Sequence, residues 1–280
     1  MGISSQVPFD SYGRLIPDFG ERVFGGQSQR YYQIASKSRR LSDQVKSYKE
    51  VGWIRSLKQE DFLADRLTTL LSEIESSPLQ GLLRGSKFPY FLPSNEGLHQ
   101  DIGGVANNIL FPKLKSVFEG KHKPLHFRAS LQGRVELESE LAPLRDGGYD
   151  RLQGFLAENR GLIGWVFPEC LAEYSLSAQL KAYARVNNNE GSFYVSLGGI
   201  HDVSSALIAT PDMLINYDTY PPVLCLGGIV HSDPRYFFSF KSHGNHLEFW
   251  GMPRALTIGG PEQVSEQWTG VISIFSQIDF

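Results

Sequence analysis

Between Ser56 and Pro78 the apolar residues Phe62, Leu63, Leu67, Leu70, Leu71 and Ile74 recur at the three- and four-residue spacing of one helix face. Ser56 followed by Gln59 makes a capping box. Glu60 and Asp61 suit the positive end of the helix, and Pro78 stops it. Residues 88–105 carry Pro89, Pro93, Gly97, Gly103 and Gly104 and read as loop, holding His99 and Asp101. A second helix is expected over residues 105–119, bent at Pro112.

The rhythm changes after Gly120-Lys-His-Lys-Pro124, which reads as a boundary. Leu125, Phe127, Ala129 and Leu131 alternate with polar residues, as do Val135 and Leu137, so a hairpin turned near Gln132-Gly133 is expected. A short helix follows on Tyr149, Leu152, Phe155 and Leu156, then a central strand over residues 162–167 closed by Pro168. Residues 169–185 read as helix and Asn187 to Gly191 as a turn cluster. Further strands are expected at 192–197, 222–226, 235–241, 246–251, 255–258 and 270–276.

Frequent short strands with turn signals and a few helices predict an α+β fold. Its sheet would be mostly antiparallel or mixed, lie in the C-terminal half with flanking helices, and follow a helical N-terminal region. The expected organisation is a polar, weakly structured or docked arm at 1–55, a helical region at 56–122 and an α+β sheet domain at 123–280.

The densest chemistry lies at residues 235–251. Gly244-Asn245 is a two-residue turn signal, which pairs His243 with His246, Lys241 with Glu248 and Ser239 with Trp250 on one face. Phe238, Phe240, Leu247 and Phe249 fall on the other face and should be buried. Two opposed histidines and a carboxylate could hold zinc or another divalent metal, with His231 and Asp233 as further ligands or base. Against this, Lys241 lies across from Glu248, and Ser232-Asp233-Pro234 has the chemistry of a turn.

Hydrophobic residues make up 41% of the chain and charged residues 20%, which excludes a wholly disordered polymer. No run approaches the length of a membrane helix, and the N-terminus shows no secretory pattern, so no membrane contact and a cytoplasmic location are expected. Cys170 and Cys225 are in apolar settings without metal or redox spacing and read as buried free thiols.

Residues 1–140 hold 19 Lys and Arg against 16 Asp and Glu, and residues 141–280 hold 8 against 14. Neither balance suits a dedicated nucleic-acid protein. In the arm, Arg30, Lys37, Arg39, Arg40, Lys46 and Lys49 interleave with Tyr31, Tyr32, Tyr48 and Trp53, a pattern that can hold single strands by phosphate attraction and base stacking.

Gly81-Leu-Leu-Arg-Gly-Ser-Lys87 has neither the spacing nor the order of a phosphate loop, and the hydrolase, dinucleotide and zincin signatures are absent. Gly198-Gly-Ile-His-Asp202 and Tyr217-Asp-Thr-Tyr-Pro-Pro222 are polar groups beside turns. There Asp202 is expected to cap a helix over residues 203–209.

The expectation is a non-catalytic protein that binds a small molecule or a protein partner. Two other readings are a metal-dependent hydrolase using His243, His246, Glu248, His231 and Asp233, and single-strand binding by the arm.

Overall fold

The computed structural model describes residues 7–21, 23–24, 32–34, 40–131, 136–186, 192–215, 219–243, 246–253 and 265–279. The elements in chain order are α1 Leu41–Glu50, α2 Leu57–Glu75, a 3-10 turn Gln80–Arg84, β1 Phe88–Leu92, α3 Ile102–Val105, a π turn Ala106–Leu110 and α4 Phe111–Lys121. There follow β2 His126–Leu131, β3 Leu141–Pro143, α5 Tyr149–Ala157, β4 Gly161–Ala172, α6 Leu176–Val186 and β5 Tyr194–Leu197. The last are α7 Ile200–Ala209, β6 Val223–Cys225, β7 Ile229–His231, β8 Tyr236–His243, β9 His246–Pro253 and β10 Trp268–Ile278.

The fold is α+β, with helices ahead of a strand-rich C-terminal half. An 8-stranded mixed sheet runs β1-β4-β10-β6-β8-β9-β2, with β5 also on β10, and β3 pairs with β7 separately. The β10–β6 and β2–β9 pairs are parallel and the others antiparallel.

α2 starts as its sequence dictates: Ser56 Oγ accepts from the Gln59 amide at 3.3 Å, and Leu63, Leu67, Leu70 and Ile74 are buried. Phe62 falls outside that stripe and is exposed. Pro112, where a bend is expected, stands in the first turn of α4 directly after the π turn, a position that needs no helical donor.

α7 is buried at all ten positions and packs against β1, α1 and α4. A helix that is covered on every side needs no polar face, which fits its run of Val, Ala, Leu and Ile. Asp202 lies inside this helix rather than before it, its Oδ1 accepting from the Gly199 amide at 2.8 Å.

Four expectations change. Residues 88–92 are a strand, not loop, buried at every position between α7 and β4. Among the described residues β2 pairs in parallel with β9, Phe127 opposite Leu247, and Glu136 to Glu138 form no ladder with it. The expected turn at Gln132-Gly133 and Val135 lie outside the described residues, as do the turns at Asn187 to Gly191 and Gly244-Asn245 and the strand at 255–258. α6 begins at Leu176, because β4 runs on to Ala172.

The fourth change is that Pro168 does not end β4. Leu171 faces Gly270 and Phe167 faces Ile272, so Pro168, Glu169 and Cys170 stand opposite Val271 alone. A Pro, which cannot donate to the ladder, sits in a bulge that bends the strand and re-aims its side chains.

The segment before α1 lies across this bulge. The Leu15 amide donates to the Cys170 carbonyl at 2.9 Å, Val23 bridges to Tyr174, and the Gln33 amide donates to the Tyr220 carbonyl at 3.0 Å. Leu15, Ile34, Val45 and Tyr48 belong to one hydrophobic cluster that continues to Ile278, across the boundaries expected at 55 and 122.

Gly81 and Gly85 seat this segment: a Cβ on Gly81 would stand 2.4 Å from the Phe9 ring, and one on Gly85 2.7 Å from the Tyr12 carbonyl oxygen. The glycines of the 81–87 stretch therefore make room for the N-terminal segment, Gly81 for the Phe9 side chain and Gly85 for the Tyr12 backbone.

Candidate functional site

The β8–β9 hairpin has the register its alternation dictates, with His243 facing His246, Lys241 facing Glu248 and Phe240 facing Phe249. Phe238, Phe240, Leu247 and Phe249 are buried, and Phe249 packs against Phe111 of α4 with ring centroids 4.7 Å apart. On the other face, β2 adds a third column. His126 is in register with His246, so three imidazoles form a row across three strands, the His126 and His246 rings 6.0 Å apart.

The next row is Arg128, Glu248 and Lys241. Glu248 is 2% exposed and carries two cations, Arg128 through Nε at 2.6 Å and Lys241 at 3.4 Å. The Lys241 ammonium also lies 3.3 Å from the centroid of the Trp250 ring.

His231 and Asp233 do not join them. His231 is on β7, its Nε2 bonded to the Glu136 carbonyl at 3.0 Å and its Nδ1 accepting from the Asp233 amide at 2.9 Å. Asp233 is held by Arg235 at 2.6 Å, and those hydrogen bonds draw its carboxyl down to about 2. Among the described residues no three His, Cys, Asp or Glu side chains stand together as metal ligands.

His201 and Asp202 open α7 in the protein interior. His201 Nδ1 meets the Tyr149 hydroxyl at 2.7 Å and Nε2 meets the Leu98 carbonyl at 3.1 Å. Burial lowers this imidazole to about 4 and raises the neighbouring Asp202 carboxyl to about 7. Asp202 Oδ2 has no hydrogen-bond partner among the described residues. With both side chains fully buried, this is a polar knot that fixes α7 between Tyr149 and the Leu98 loop.

Cys170 and Cys225 are buried, and desolvation pushes each thiol up to about 12, so neither is a nucleophile at neutral pH. His99 is exposed, and Asp101 caps α3 through the Gly104 amide at 2.7 Å.

Of the aromatics among the arm's basic residues, Tyr48 and Trp53 are core, stacked with centroids 5.7 Å apart. The Tyr48 hydroxyl accepts from the Phe91 amide at 3.0 Å. Arg30, Tyr31, Lys37 and Arg39 lie outside the described residues, as do Tyr217 and Asp218.

A further concentration of chemistry is a cleft of about 240 Å³ that no single stretch of sequence announces. One wall is the N-terminal segment, with Tyr12, Arg14 and Tyr32; a second is Arg84, Gly85 and Ser86 after the 3-10 turn; the floor is Glu169, in the β4 bulge, with Trp268 and Thr269 of β10. Glu169 ties these walls together, accepting from the Ile34 amide at 3.2 Å and the Ser86 amide at 3.4 Å. Arg84 Nη1 donates to the Phe9 and Asp10 carbonyls at 3.4 and 3.2 Å.

At the mouth, Tyr12 is 59% exposed, and Tyr220, also exposed, is 6.0 Å from the Tyr32 ring. The sequence signal that could have found this place is Pro168 inside a strand pattern followed by Glu169, a bulge aiming a carboxylate.

Comparison of the chain with family models, with curated proteins and with solved structures returns no match.

Proposed function

We propose that the protein is a non-catalytic binding protein whose ligand occupies the cleft between the N-terminal segment and the β4 bulge. The observation that carries this reading is the cleft's construction: rings and opposite charges gathered from five stretches of chain and pre-positioned by backbone hydrogen bonds. None of its described hydroxyl groups is hydrogen-bonded to a histidine or carboxylate, the pairing that would activate a nucleophile.

A thermal-shift screen of a diverse small-molecule library tests it. The expected result is at least one compound that raises Tm in the wild type and less so in Tyr12→Ala. A library without any Tyr12-dependent hit, or chemical conversion of a hit, would overturn it.

A second reading, metal-dependent hydrolysis at the hairpin, is favoured by one observation, the His243, His246 and His126 row. Elemental analysis of untagged protein decides it: one equivalent of zinc or a similar ion, lost in His246→Ala, would promote it over the cleft.

A further inference from the structure

We propose that the cleft takes a zwitterion with an aromatic body, the chemistry of an aromatic amino acid. This rests on the cleft reading above and specifies its ligand.

Size sets the first limit. At about 240 Å³ the space is smaller than the roughly 300–1,000 Å³ that hold drug-sized ligands, so the occupant is one ring system with a few polar atoms. Tyr12, Tyr32 and Trp268 offer faces and edges for that ring.

Charge sets the second. Arg84 is exposed and keyed in place by backbone carbonyls, which position the guanidinium without neutralising it, and no carboxylate among the described residues pairs with it. Arg14 differs, giving Nε and Nη2 to Asp10 at 2.8 and 2.7 Å. The cleft thus holds an anchored cation that can receive a carboxylate in the bidentate manner of guanidinium groups.

Glu169 is the counterpart. Each of its oxygens takes one backbone amide and keeps a lone pair, and no Lys or Arg among the described residues forms an ion pair with it. Glu266 adds a second negative group to the lining.

Ser86, which bonds Glu169, is two residues beyond Arg84, so the carboxylate on the floor is tied to the wall that carries the guanidinium. A ligand with only an anion would leave Glu169 covered and unpaired, and one with only a cation would do the same to Arg84. Covering an unpaired charge is the more costly event, so the pair selects for both charges together.

Titration calorimetry of the full chain with L-tryptophan, tryptamine and indole-3-propionate tests this. The expected result is binding of L-tryptophan, with each analogue weaker by at least about tenfold for the missing charged hydrogen bond. Tyr12→Ala, a change at an exposed ring, should weaken L-tryptophan several-fold and leave the fold intact. Glu169→Gln, which keeps one of the two backbone acceptors and removes the charge, should narrow the gap between L-tryptophan and indole-3-propionate.

An analogue that binds as tightly as L-tryptophan, or L-tryptophan binding indifferent to Tyr12→Ala, overturns the zwitterion. So does failure of all three compounds to bind. The cleft reading itself survives these failures if the library screen returns a Tyr12-dependent hit, and falls with them if it does not.

Discussion

Glu248 and Arg128 face each other across the parallel β9–β2 pair, and the carboxylate, almost wholly buried, has Lys241 on its other side. The hairpin's one carboxylate is therefore occupied as an ion-pair hub between three strands. Glu248→Ala would leave two cations facing each other, and the expected cost is about 1–3 kcal/mol by urea unfolding, the scale of removing one partner of a buried hydrogen bond. If the variant is as stable as the wild type, the hub contributes nothing and Glu248 is available for other chemistry.

The two faces of the same hairpin give opposite expectations. Phe240→Ala and Phe249→Ala should each cost roughly 3–5 kcal/mol, the range for truncating a buried ring. His243→Ala, at an exposed position, should stay within about 0.5 kcal/mol. The reverse order would mean that the strands are out of register by one residue, which exchanges the faces.

His201 and Asp202 predict a hidden pH dependence. The unfolded chain releases the Asp202 proton near 3.8 and the folded chain holds it to about 7, so over that window the folded state carries more protons and stability falls as pH rises. The unfolded imidazole takes a proton below 6.5 and the folded one resists until about 4, so His201 makes stability fall as pH drops. The two slopes oppose. Asp202→Asn should expose stability that rises from pH 4 to 6.5, and His201→Gln stability that falls from pH 4 to 7, read from urea midpoints across that range. Parallel profiles for both variants and the wild type would refute the pairing.

The seating of the N-terminal segment can be tested at Gly13. It has φ +75°, and a Cβ there would stand 2.5 Å from the Gly85 amide nitrogen. Gly13→Ala should cost about 1–3 kcal/mol, the scale of a strained backbone position, and speed proteolysis within the first 34 residues. Unchanged cleavage would show that the segment is not held at this point. Deleting residues 1–50 is expected to be far worse, because Leu15, Ile34, Val45 and Tyr48 leave the core with it. Insoluble protein should result.

What could be read from the sequence was what local rules decide. The hairpin register follows from strict alternation about a two-residue turn, and α2 from its cap and stripe. β1 escaped because Phe88-Pro-Tyr-Phe-Leu92 is buried on both faces and so shows no alternation, while its Pro argues for loop. The partner of β2, β9, is over a hundred residues later, and no periodicity encodes that distance. Tyr48 and Trp53 looked like a stacking platform because basic neighbours mask a buried pair of rings on one helical stripe and the loop after it. The cleft was invisible for a related reason: Tyr12, Arg84, Glu169 and Trp268 are neighbours only after the bulge and the N-terminal segment meet.

β10 lies between β4 and β6 and also carries β5. During synthesis, then, the ribosome delivers the two flanks of the sheet before the strand that joins them. The β1–β4 pair and the β6–β8–β9–β2 group must wait, with unpaired ladder edges, until residue 278 has emerged. Open edges of this kind invite pairing with other chains. A nascent chain stopped between β9 and β10 is therefore the form of this protein most in need of a chaperone.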